Sequence, residues 1–336
     1  MSIPTTSGTT TMTAMQAVNA ALFQAMEADD KVLVLGEDIG DREGGGITGA
    51  AKGLSTKFGT ARVKSTPISE QAIMGAAIGA ALSGYKPVAE IMLMNFTTVC
   101  MDMIFNHAAK LRFMSGGQST VPLTIRTLTG AGWQTAGQHA DHLEGWFAHT
   151  AGIKVVAPSN PADYKGLLLA CIADPDPCIF IESAGTLFIP GEVSDHQGPI
   201  PLGRAKVVQE GTDLTIVAWS SQLVRCQMAL AGLAEAGISA ELIDLRTVSP
   251  WDKDAVLASV EKTGRLIVAH EALRHFGPGA EIAATVQEEL FGKLKAPVRR
   301  LGAPYSPVPF AKVLEDAFIV QPADVIAAAK GLMDRA

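Results

Sequence analysis

Aromatic residues make up only 6% of this 336-residue chain and charged residues only 18%. There are four cysteines, Cys100, Cys171, Cys178 and Cys226. None has C-x-x-C spacing and all sit among apolar neighbours, so a disulfide framework is not expected; they read as reduced core thiols in a cytoplasmic protein. No run of lysine and arginine occurs and the formal net charge is −7, which argues against a nucleic-acid partner. The apolar runs are too short or too interrupted to span a membrane. The opening M-S-I-P-T-T-S-G-T-T-T has no basic n-region, no apolar h-region and no arginine, so neither a secretory signal nor a transit peptide is expected. Against these shortages stands 48% hydrophobic content, enough for sizeable cores, and a length that favours two domains.

Strand-like and helix-like segments alternate along the chain, which predicts an α/β fold of two doubly wound domains with parallel sheets. Residues 1–12 read as a flexible arm, 13–189 as a first domain, 190–203 as an aperiodic linker and 204–336 as a second domain. Thr13-Ala-Met-Gln16 is a capping box opening a helix to about Ala28. Strands are expected at Lys31–Asp38, Tyr85–Glu90, Val121–Arg126, Ile153–Pro158 and Cys178–Glu182. Helices are expected at Phe96–Phe113 and Pro161–Ala173. The second domain repeats the alternation, with helices at Gln222–Ala236, Asp252–Lys262, Gly279–Leu290 and from Pro322 onward.

The organising stretch is Ser65–Ile91. Pro67 fixes its own φ and pushes Thr66 out of helical geometry, so a strand ends there and Ser69 can cap a helix starting at Glu70. Glu70 lies between Ile68 and Ile73. It serves either the helix dipole or catalysis. Gly75 and Gly79, four apart, each cost about 1 kcal/mol of helix propensity. Close helix packing, within this chain or against another, would compensate.

Two loops stand out. G-D-R-E-G-G-G-I-T-G after Asp38 is read as having neither G-x-G-x-x-G nor Walker spacing, and so as flexible rather than as a phosphate cradle. T-L-T-G-A-G-W-Q-T-A-G-Q-H-A-D-H is long, glycine-rich and aromatic, and ends in His139, Asp141 and His142; such loops are usually functional or disordered. His139-x-Asp141 without a third ligand is weak as a metal site.

Taken in order, V-L-G-E-D-I-G, T-P-I-S-E with its G-x-x-x-G helix, N-H-A-A-K, S-G-G, G-Q-H, F-A-H-T-A-G-I-K-V-V-A-P, I-D-L-R-T-V-S-P-W-D and P-V-P-F-A-K-V-L-E-D carry a resemblance over nearly the whole chain. It resembles the beta subunit of the thiamine-diphosphate-dependent decarboxylating component of 2-oxoacid dehydrogenase complexes, of pyruvate, branched-chain and acetoin types. The resemblance implies a pyrimidine-binding domain followed by a transketolase C-terminal-like domain. It implies that Glu70 bonds the aminopyrimidine nitrogen of thiamine diphosphate and supports its amino–imino tautomer. Burial among apolar groups disfavours an ionised carboxyl and so favours sharing its proton. Ile68, Met92 and Phe96 fall at cofactor-contacting positions, and His139 matches the histidine that steadies charge on the substrate-derived intermediate and serves transfer to the lipoyl group. A potassium site would map to Leu123, Cys171, Ile172, Asp174 and Asp176, mainly through backbone oxygens.

Ala140 stands where the family usually has Ser, which would remove a hydroxyl from the substrate side; acetoin, pyruvate and a branched-chain 2-oxoacid all stay open as substrates. The chain contains no G-D-G motif, the motif that holds the diphosphate through Mg²⁺ in this cofactor class. The resemblance therefore places Mg²⁺ on an alpha subunit, with an α2β2 heterotetramer and a lipoyl transacylase core as partners. A split transketolase-like enzyme and a non-catalytic scaffold subunit are the competing readings. A nicotinamide-binding protein is disfavoured.

Overall fold

The computed structural model describes residues 8–334. Two sheets form its frame. The larger has seven strands in the order Thr247–Ser249, Lys154–Val156, Cys178–Ser183, Thr124–Thr129, Lys86–Leu93, Val32–Glu37 and Val63–Thr66. The smaller has five, Arg299–Ala303, Leu266–Leu273, Leu214–Ala218, Ala240–Asp244 and Lys206–Gln209. Each is parallel apart from one edge pair, Thr247–Ser249 on Lys154–Val156 and Lys206–Gln209 on Ala240–Asp244. Helices cover both faces of each sheet, so central strands such as Leu214–Ala218 are apolar and buried throughout.

The expected two doubly wound α/β units are therefore present, but they are stitched together. Thr247–Ser249 comes from the second half of the chain and extends the sheet of the first. Arg246, at φ 59°, turns the chain there, and its guanidinium grips Asp163 at 2.7 and 3.0 Å. One apolar core runs through the junction, from Ile73 and Ile125 to Trp219 and Val268. Within the first sheet Arg126 is buried between Glu182, at 2.6 Å, and Glu90, at 2.9 Å. Removing one member of such a set leaves a buried charge without its partner.

The helices start where capping chemistry says they should. Thr13 and Gln16 form the capping box of Ala14–Ala28. Asn160 accepts from the Asp163 N–H at 3.1 Å ahead of Pro161–Ala173.

Three expectations are corrected. Residues 1–7 of the arm lie outside the described residues, but Thr9–Thr13 is a strand, paired antiparallel with Pro190–Ser194. The linker accordingly begins as a strand. Side-chain bonds from Thr10 to Asp195, at 2.7 Å, and from Thr11 to Glu192 back up the backbone ladder. The Phe96–Phe113 helix is broken into a 3₁₀ turn at Met94–Thr98, a π-helical turn at Met103–Ala108 and a short helix at Leu111–Met114. Phe105 thereby leaves the core stripe and is 38% exposed. Finally, Gly44, Gly46 and Gly49 do fall at the G-x-G-x-x-G spacing of a dinucleotide site. No helix begins at the third glycine, and only the five-residue Leu54–Phe58 follows, so the phosphate-binding helix terminus that motif needs is missing here.

Candidate active site

The strand Val63–Thr66 stops at Pro67, and Glu70 opens the helix Glu70–Leu82. Ser69 precedes it, but its hydroxyl donates to the Pro67 carbonyl at 3.1 Å instead of capping an N–H, contrary to the expectation. Ile68 is 83% exposed and Glu70 half-buried, so both face outward from the carboxyl ends of the strands. Beneath them Glu37 and Thr66 are paired in register across adjacent strands. Glu37 Oε1 and Thr66 Oγ1 are buried without any hydrogen-bond partner. Burial, and then the neighbouring Glu70 carboxylate, push the Glu37 carboxyl above its usual range. Two acids this close cannot ionise independently.

Glu70 also reaches the other wall. Burial first, and Glu70 second, push the Cys100 thiol up to about 12. Cys100 lies four residues beyond Phe96. Met92 and Phe96 pack on the same small cluster of Leu93, Leu128 and Leu187. The ring of Phe96 meets the ring of His139 edge-to-face, with centroids 5.5 Å apart. The structure thus brings Met92, Phe96 and His139 together, while Ile68 and Glu70 lie at the start of the helix Glu70–Leu82.

The glycine-rich loop after Asp38 is organised rather than loose. Asp41 accepts from the Thr56 N–H at 2.7 Å, from the Gly53 N–H and from the Thr56 hydroxyl. Against partial desolvation, these bonds hold its carboxyl down to about 2.

Known proteins place this geometry. Residues 10–188 match the transketolase pyrimidine binding domain family, and residues 203–325 the transketolase C-terminal domain family. The beta subunit of acetoin:2,6-dichlorophenolindophenol oxidoreductase from Cupriavidus necator is 45% identical over 325 residues, covering 94% of this chain and 96% of the relative. The pyruvate dehydrogenase E1 component beta subunit from Bacillus subtilis is 42% identical over 324 residues, covering 96% and 99%. The chain belongs to this family of dehydrogenase beta subunits. Its fold also matches the solved structure titled split gene transketolase, inactive beta4 tetramer, at TM-score 0.80 and 21% identity, over 96% of this chain and 98% of that one.

In this beta subunit the His142 that ends the long loop is not a surface histidine. It is buried, with Nδ1 3.4 Å from Glu144 and Nε2 3.2 Å from Glu271. Although burial pushes His142 down, the two carboxylates outweigh it and hold the imidazole up to about 10. The only sequence signal was H-x-E around a site loop. A group whose pKa is raised on folding stabilises the fold below its unfolded value, near 6.5, and that stabilisation is lost as pH rises through the folded value. The thermal midpoint is therefore expected to fall between pH 7 and 10, and His142→Gln to flatten that stretch of the profile. Equal slopes for the two proteins would disprove the assignment.

Ala140 packs in a small apolar cluster with Ala131, Ala303, Val308 and Phe318 and also borders an open cleft. The cleft, of about 1400 Å³, is lined among others by Trp146, Glu271, Phe276 and Tyr305, but Glu70, Phe96 and His139 are not in its walls.

The five residues of the implied potassium site lie just before the strand Thr124–Thr129, at Leu123, and on the end of the helix Pro161–Ala173 and the turn that follows it. The Leu123 carbonyl accepts from the Cys178 N–H at 2.9 Å, and the Cys171 carbonyl from the Asp174 N–H at 3.2 Å. The carboxylates are taken: Lys154 sits 2.6 Å from Asp174, and Arg112 2.7 Å from Asp176. Any cation there would have to rely on main-chain oxygens. Among the described residues no cluster of three or more His, Cys, Asp or Glu suits a metal ion, and no helix is long and apolar enough to cross a membrane.

Proposed function

We propose that this chain supplies the pyrimidine half of a thiamine diphosphate site in an acetoin or 2-oxoacid dehydrogenase. The observations that carry the reading are half-buried Glu70 acting on Glu37, the orphaned Glu37 and Thr66 oxygens, and the Phe96–His139 ring contact. A flat heteroaromatic ring with a basic nitrogen suits these groups: Ile68, Met92 and Phe96 offer apolar contact and Glu70 a hydrogen bond. When bound, thiamine diphosphate supplies the carbon nucleophile that cleaves the substrate C–C bond.

In this reading Glu70 holds a proton at the ring nitrogen, and the raised Glu37 keeps the pair from carrying two full charges. Phe96 orients the ring of His139, which donates to charge developing on the substrate. Mg²⁺ and the diphosphate belong to an alpha chain, since the G-D-G motif is absent here. The assembly is an α2β2 heterotetramer that passes its acyl group to the lipoyl domain of a transacylase core. Leu123, Cys171, Ile172, Asp174 and Asp176 would hold K⁺ through carbonyls. Four buried free cysteines accord with the reducing cytoplasm.

Calorimetric titration of thiamine diphosphate with Mg²⁺ tests the split site. Binding is expected only when the chain is co-assembled with its alpha partner. Tight binding to the chain alone, or none to the intact pair, would overturn the reading. Turnover of acetoin, pyruvate and a branched-chain 2-oxoacid with dichlorophenolindophenol as acceptor then assigns the substrate.

A further inference from the structure

Asn95 immediately precedes Phe96, on the turn that leaves the strand Lys86–Leu93. Its side-chain amide does three things at once. Nδ2 donates to Asp141 Oδ2 at 2.8 Å and to the Gly137 carbonyl at 3.3 Å. Oδ1 accepts from the Asp141 backbone N–H at 3.2 Å. Gly137 and Asp141 lie two residues before and two after His139. One amide therefore holds both shoulders of His139, while its chain neighbour supplies the ring that His139 meets.

The rest of the loop shows why such a clasp is needed. Gln134 at φ 56° and Ala136 at φ 63° occupy the left-handed region, which non-glycine residues adopt at a cost. Buried Glu315 of the second half restrains this strained arm by accepting from the Gly132 N–H at 2.7 Å and the Gln134 N–H at 3.0 Å. Beyond His139, the Asp141 carbonyl accepts from Thr129 Oγ1 at 2.7 Å. Glu315 and Thr129 fix the loop to the second half and to the central strand. Asn95 ties both shoulders of His139 to the segment that carries Phe96, and just beyond them the Leu143 N–H donates to the Met94 sulfur of the same segment at 3.1 Å.

We propose that Asn95, acting with Asp141, is a positioning residue that sets the His139 ring against Phe96. This rests on the reading of Phe96 and His139 as site residues, and no contact of Asn95 with substrate or cofactor is invoked. Both bonds made by Nδ2 and the one received by Oδ1 must be present, so neither Asp nor Leu can replace Asn95. Asp141 needs only an acceptor at Oδ2, so Asn can replace it.

The test uses the full chain labelled with ¹³C at histidine Cε1, with the His139 signal assigned from His139→Gln, and the same variants in the assembled enzyme. In Asn95→Ala and Asp141→Ala the His139 signal is expected to lose the displacement caused by the Phe96 ring. In the assembled enzyme kcat is expected to fall about 100-fold, as for a displaced catalytic group, while the Kd for thiamine diphosphate hardly moves. Asp141→Asn should restore both signal and turnover. An unmoved His139 signal in Asn95→Ala, a moved signal with unchanged kcat, or an Asp141→Asn as impaired as Asp141→Ala would each overturn the proposal. Wild-type turnover in His139→Gln would instead remove the reading on which it rests, whatever the ring signal does.

Discussion

Glu70→Gln is expected to leave the fold and the subunit assembly intact and to lower turnover about 10²–10⁴-fold, the span a positioned proton carrier contributes. The side chain is half-buried at a helix start and makes no hydrogen bond that the fold depends on, so thermal stability should stay within the small range of surface substitutions. Gln keeps the shape but carries no proton that can be exchanged at a ring nitrogen. It also removes the second acid beside Glu37. Glu37 is raised partly by Glu70, so its carboxyl should drop back toward the ordinary range in the variant. That drop can be followed by carboxyl NMR without any turnover. Wild-type activity of the assembled Glu70→Gln enzyme would refute the catalytic role; a fallen Glu37 with lost activity would tie the two acids to one site.

How much of this was legible in the chain depends on how local the determinant is. The helices Pro161–Ala173 and Gly279–Leu290 lie at the bounds read from sequence, because Asn160-Pro161 and Pro278-Gly279 punctuate them. The Thr13–Gln16 box is equally local. Thr247–Ser249 was invisible: three residues show no periodicity, and their partner strand lies some ninety residues earlier in the chain. Thr9–Thr13 was missed for the same reason, since threonines in a row suggest a strand only once Pro190–Ser194 is alongside. At the site, Glu70, Phe96 and His139 could be singled out through a family likeness. Asn95 could not, because an uncharged amide announces nothing until both shoulders of the His139 loop are seen on it. His139 and Ala140 adjoin in the chain, yet their surroundings differ in a way that adjacency could not show. His139 turns to Phe96 and Ala140 to Phe318.

Gly79→Leu is expected to block assembly while leaving the single chain at least as stable as before. The helix Glu70–Leu82 buries Ile73, Met74, Ala77, Ile78 and Ala81 against its own domain. Its other face, Ala72, Gly75, Ala76 and Gly79 at i, i+3, i+4 and i+7, carries no charged residue. A helix face turned to water is ordinarily charged or polar. Within the chain a Cβ on Gly79 would meet nothing within 4 Å, and one on Gly75 only the Met103 sulfur at 3.8 Å. Neither glycine is required by this chain's own packing, so its cost in helix propensity, about 1 kcal/mol each, has no intramolecular compensation. A leucine at position 79 should recover that propensity in the isolated chain. In the assembly it would stand between backbones brought close by the small residues, where overpacking costs about 1–3 kcal/mol at each copy of the contact. The two effects have opposite signs, which separates this prediction from ordinary misfolding. The expected result is an unchanged or raised thermal midpoint for the chain alone, together with loss of the large species on sizing. An unchanged oligomer would show that the small-residue face is not an interface. A destabilised single chain would mean that the face is packed within the chain.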